Sequence, residues 1–176
     1  MLTYINQLGG RQSFHQGVPN DCEVSVSINT VTTPVLKSYI HSHNNSCSLP
    51  IFSPDDLKTL YDLYSLGKTD SVFTFGVVTD VGVYLLVIDD LAALTSFANK
   101  YFFDESQYDM TKLSNDYKSY RINRTNTPEE NEKRFLKFLK DKGAGVKLLK
   151  ANNDLSGYST ISLNRDNNRV SVPCPQ

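Results

Sequence analysis

Cysteine is scarce and badly placed for pairing. Cys22, Cys47 and Cys174 make an odd set with no close pair, which excludes a disulfide framework and any cysteine-cluster zinc module. A single bridge, for example through Cys174, stays open. Long apolar runs are absent too: the longest, 81–88, has eight residues and includes a glycine and a tyrosine, far below the roughly 20 that a membrane-crossing helix needs. Neither sign of charge dominates. With 18 basic and 19 acidic residues the net charge is -1, and no basic stripe is present, which argues against nucleic acid as the main partner. The first ten residues have no basic stretch leading into an apolar core, so no signal peptide is expected and a cytoplasmic location is the default. Internal repeats, low-complexity tracts and phosphate-cradling glycine loops are also missing, and no nucleotide cofactor is expected.

At 176 residues the chain has the length of one domain, with enough apolar residues to bury a core without covalent staples. Residues 1–20 show no clear period and read as a tail or the end of a linker from a longer protein. Residues 21–176 then form a single domain. Its first element is a strand over 23–28, where Val24, Val26 and Ile28 alternate with Glu23, Ser25 and Ser27. The next strand, 35–43, ends in His41 and His43. Leu57, Leu60, Leu63, Tyr64 and Leu66 recur at helical spacing, bracketed by Ser53 as N-cap, Pro54 at the first helical position and Gly67 as the stop. Residues 72–79 and 81–88 predict a hairpin turning at Asp80 and Gly82. A helix over 90–103 follows, with a polar stretch to 120 that continues helically. Thr127-Pro128-Glu129-Glu130 reads as a capping box opening a helix that Gly143 ends. Short strands around 146–150, 159–163 and 169–172 finish the chain.

The chemistry concentrates in His41-Ser42-His43 and Ser53-Pro54-Asp55-Asp56. Side chains two apart on a strand point to one side, so both imidazoles can reach one metal ion. Neutral imidazole is a preferred zinc ligand and a carboxylate a common third, and three protein ligands leave one tetrahedral position open for water. Glu23, on a rigid strand, is the better upstream carboxylate for acid-base work. Ordinary readings compete. Ser53-Pro54-Asp55-Asp56 alone is a helix N-terminus, with the acids favoured by the helix dipole, and a His-x-His pair can sit on an exposed strand by chance. Their conjunction in order favours a metal site. His15 has no spacing argument and reads as a surface histidine, and Cys47 is incidental because the nearby histidines are committed to metal.

His-Ser-His followed by Ser-x-x-Asp, with a glutamate upstream on a strand, resembles the JAMM motif of the MPN+ family of zinc metalloproteases. The likeness covers 23–88, and the C-terminal part is similar to the ends of bacterial proteins carrying this type of domain. The resemblance implies an α/β (α+β) MPN-like fold with cytidine-deaminase-like layering, a curved mixed sheet flanked by helices. It implies His41, His43 and Asp56 as ligands of one Zn2+ ion, Glu23 as general acid/base and Ser53 as oxyanion stabiliser. It further implies hydrolysis of a peptide or isopeptide bond in a protein substrate, of which a ubiquitin-like protein is one candidate. The gap 44–52 between His43 and Ser53 is two residues longer than the family pattern, an insertion that a surface loop tolerates at small entropic cost. The rival reading is a catalytically idle MPN-like interaction module. A third is the same chemistry inside a larger secreted or toxin-type protein.

Overall fold

The second strand of the expected motif runs through Leu36, Tyr39 and His41, all buried, and its neighbours explain why. Tyr39 lies beside Phe75, Leu86, Leu148 and Ile161 on four successive strands. All of these are buried, because residues level with one another across a sheet point to the same face. That row is the floor of the core. The next row places His41 beside Val77, Tyr84 and Lys150, so one histidine of the pair is built into the core-facing side of the sheet.

The computed structural model describes residues 2–7, 12–16, 35–43, 48–102 and 110–175, with backbone alone for 2–7 and 71. Among these, eight strands and four helices form a mixed α/β structure. The strands are β1 (Leu2–Gln7), β2 (Gln12–Gln16), β3 (Leu36–Ser42), β4 (Thr69–Thr79), β5 (Gly82–Ile88), β6 (Val146–Ala151), β7 (Tyr158–Leu163) and β8 (Arg169–Pro173). They join in one sheet in the order β2-β1-β3-β4-β5-β6-β7-β8. Only β3 and β4 pair in parallel; the other neighbours are antiparallel. The helices are α1 (Pro54–Ser65), α2 (Leu91–Tyr101), α3 (Met110–Ser119) and α4 (Pro128–Lys142).

A parallel pair needs a crossover, and α1 supplies it between β3 and β4. α1 packs on β4, α2 and α3, while α4 crosses β7 and β8. Phe52, just before α1, is fully buried and lies between Phe75 of β4 (ring centroids 5.9 Å apart) and Phe135 of α4 (6.0 Å). It fixes where α1 begins.

Residues 2–7 and 12–16, expected to belong to a tail, instead make an edge hairpin paired with β3. Thr3, Tyr4 and Ile5 suit a strand, but a short segment of mixed polarity has no clean alternation to read. The expected strand 23–28, and Glu23 with it, lie outside the described residues. No helix among the described residues is long and apolar enough to cross a membrane.

Candidate metal centre

His41 sits at the C-terminal end of β3, and His43 one residue beyond it. The amide of His43 still donates to the Val78 carbonyl at 2.8 Å, so the ladder with β4 holds its backbone although the strand has ended. Both imidazoles therefore project from a rigid edge on one side of the sheet.

The carboxylate arrives from the start of α1. Ser53 caps the helix, its side chain accepting from the Asp56 amide while the Asp56 side chain accepts from the Ser53 amide. This reciprocal box aims Asp56 back toward β3. The Ser53 amide and hydroxyl both donate to Asp56 Oδ2, at 2.6 and 2.8 Å. Phe52 and Leu57, the two positions of a hydrophobic staple, are buried on either side of the cap. Behind it, the buried Tyr117 hydroxyl of α3 donates to the Phe52 carbonyl. Burial, with the negative charge of Asp56 behind it, holds the Tyr117 phenol well above its usual range, so it stays a neutral donor.

The three groups meet. His41 Nε2 is 2.8 Å from Asp56 Oδ1, His43 Nε2 is 3.2 Å from Asp56 Oδ2, and the two Nε2 atoms are 3.1 Å apart. This is the one group of three potential ligands that could hold a metal ion among the described residues. The spacing fits that use: bonds of 2.0–2.2 Å at tetrahedral angles put ligand atoms about 3.3 Å apart. His43 Nδ1 donates to the Leu49 carbonyl at 2.7 Å. In the neutral ring that bond places the proton on Nδ1 and leaves the Nε2 lone pair directed at the cluster, as a metal-ligating histidine requires. His41 Nδ1 is buried with no hydrogen-bond partner among the described residues, while its Nε2 faces Asp56 and His43.

Electrostatics hold the cluster together. Burial alone would raise the Asp56 carboxyl, but hydrogen bonds and charge from His41 and His43 keep it well below the usual carboxylate range. Burial would lower His43, and the Asp56 bond and charge with the Leu49 carbonyl overcome it, so His43 is raised despite the opposing charge of Arg124.

A pocket of about 130 Å³ opens against His43, bordered by Leu49, Pro50, Asp80, Val81, Arg124 and Asn131 among others. It lies at the carboxyl end of the parallel strand pair, where open α/β sheets place their ligands. Of the expected site residues, the structure brings His41, His43, Asp56 and Ser53 together, and Glu23 lies outside the described residues. His15 is half-buried on β2 with its Nε2 3.2 Å from Ser13 Oγ. Cys174 is a free thiol, 3.7 Å from Thr160 Oγ1, while Cys22 and Cys47 fall outside the described residues.

Tyr117, Arg124 and the Leu49 carbonyl were not marked by any motif. Tyr117 had a signal in its spacing, four residues after Leu113 on the buried stripe of α3. The chain matches no family model, no curated protein and no solved structure.

Proposed function

We propose that this protein is a zinc-dependent metallopeptidase or isopeptidase of the MPN type. The observation that carries the reading is the convergence of His41 Nε2, His43 Nε2 and the Asp56 carboxylate beside an open pocket. The β3-α1-β4 crossover supports the MPN-like assignment, because it sets a His-x-His pair at a strand end facing an aspartate at a helix start. Both imidazoles and the carboxylate would hold a single Zn2+ ion, leaving a coordination position open. Zinc bound there would bring the pKa of a water toward about 7 and polarise a carbonyl oxygen.

The chain's own groups would do the rest. The Leu49 carbonyl keeps His43 in the required tautomer, and the Ser53 amide keeps Asp56 oriented. Ser53 is the oxyanion donor in this reading; its hydroxyl now donates to Asp56 Oδ2 and has to turn from it, a change the carboxylate tolerates because the Ser53 amide still donates to the same oxygen. Glu23 takes a proton from the attacking water and returns it to the departing amine. The pocket against His43 receives the substrate chain, a peptide or a protein carrying an isopeptide bond.

Zinc content and hydrolysis, measured side by side, test this. Wild type is expected to hold one zinc per chain and to cleave a peptide or isopeptide reporter. His43→Ala should lose the metal, and Glu23→Ala should keep it while losing hydrolysis. Wild-type protein that holds substoichiometric zinc and cleaves neither kind of bond would favour the idle interaction module instead.

A further inference from the structure

We infer that Arg124 is a positioning residue for this metal centre, acting on His43 through the 48–50 loop; the inference rests on the metal-site reading above. The path is short. Arg124 Nη2 donates to the Ser48 carbonyl, and the next carbonyl along the chain, that of Leu49, receives the Nδ1 proton of His43. One arginine thus holds the peptide unit immediately before the one whose carbonyl sets the tautomer and the ring orientation of a ligand. Arg124 and His43 both line the same pocket.

The support beneath Arg124 is built rather than incidental. Asn131 on α4 is 2% exposed, and its side chain is spent on the segment that carries Arg124. Its Nδ2 donates to the Asn123 carbonyl at 2.8 Å, and its Oδ1 accepts from the Asn123 amide at 3.2 Å and from Asn126 Nδ2 at 2.9 Å. Asn126 also donates to the Arg121 carbonyl at 2.8 Å, and Asn123 Oδ1 accepts from the Thr125 amide at 2.9 Å. A buried amide whose oxygen and nitrogen both bond to one loop fixes that loop, because losing a partner would leave a desolvated polar group. The guanidinium is consequently delivered from a rigid base, in the way that outer-shell partners orient metal ligands.

A chain of named contacts therefore runs from α4 through 123–126 to Arg124, then to Ser48 and Leu49, and ends on His43. An exposed arginine with only a surface role would not sit on such a base.

Zinc affinity, measured by competition with a chromophoric chelator, tests the inference in wild type, Arg124→Ala and Arg124→Lys. Imidazole nitrogen NMR of the metal-free proteins adds a second readout, the His43 tautomer. Arg124→Ala is expected to weaken zinc binding about 10- to 100-fold and to reduce the Nδ1-protonated form of His43. Arg124→Lys should recover part of both, since an ammonium can still donate to the Ser48 carbonyl. Zinc affinity within twofold of wild type in Arg124→Ala, or an unchanged His43 tautomer, would overturn it. Wild-type protein that binds no zinc would sink the metal-site reading instead, and the tautomer measurement would still decide the link between Arg124 and His43.

Discussion

A buried carboxylate between two imidazoles makes stability depend on pH in a way that can be worked out residue by residue. Asp56 titrates below its usual range in the folded protein, so its contribution is present above the unfolded value near 4 and is lost as pH falls below it. His43 titrates above its usual range, so its contribution is complete below the unfolded value of about 6.5 and is lost as pH rises beyond it. Metal-free protein should therefore draw most stability from this cluster between about pH 4 and 6.5. Thermal melts across pH 3–8, wild type against His43→Gln, check it. The difference in melting temperature should shrink at both ends, and a difference that is flat across the range would contradict the assignment. Which residues do this was legible early, since His41, His43, Ser53 and Asp56 stood out as a pattern of types and spacings. Arg124 did not, because its part depends on a carbonyl brought near by folding, and no spacing rule encodes that.

Elements were legible where their ends carry chemistry. α1 runs from its Ser53 cap to the Leu66 C-cap, with Gly67 at φ 64° just after it, and α4 starts after Thr127 and stops at Gly143, as the sequence predicts. The Thr127 box is made on one side: Thr127 accepts from the Glu130 amide, while the Glu130 carboxylate pairs with Arg134 one turn on. The hairpin of β4 and β5 and the three last strands also lie where alternation and β-branched residues put them. Gly145 was not singled out, yet it matters more than the helix-ending Gly143. Both have left-handed backbone, at φ 68° and 64°. A Cβ on Gly143 would meet nothing within 4 Å, whereas one on Gly145 would come within 2.3 Å of the Asp90 carbonyl and 2.4 Å of the Leu94 amide at the start of α2. Gly143→Ala should cost about 1 kcal/mol from backbone strain alone. Gly145→Ala should cost well over about 2 kcal/mol, since the α2 backbone must shift as well. Urea unfolding of the two variants separates them, and equal losses would show that α2 is not seated where described.

Across the whole molecule, one carboxylate joins α4 to three strands. Glu132 has no exposed surface and accepts from Tyr84 of β5 at 2.9 Å, Lys150 of β6 at 2.7 Å and Arg169 of β8. Burial and the neighbouring Glu132 charge push the Tyr84 phenol far above its usual range, so Tyr84 remains a hydrogen-bond donor there. In the sequence Glu132 looks like one more charge on a polar helix. Its position relative to Phe135, Leu136 and Leu139, at the spacing of one helical face, was the available clue to its burial. Glu132→Ala would strand two cations against the sheet and should destabilise the protein by about 3–5 kcal/mol, read from denaturant midpoints. A loss below about 1 kcal/mol would mean that Lys150 and Arg169 find water without it. Beyond the β4-β5 hairpin strand order was not legible, because register and neighbours are set by packing between distant segments, and the parallel β3-β4 pair shows only once α1 is seen to cross over.

The same frame that Glu132 braces carries β3 and α1 to the point where the three ligand atoms meet. X-ray absorption at the zinc edge of the metal-loaded protein measures it directly. Nitrogen and oxygen neighbours only are expected, at about 2.0–2.2 Å, with the outer-ring scattering of two imidazoles. Sulfur at about 2.3 Å, or a shell without imidazole, would place the metal elsewhere and contradict this ligand set.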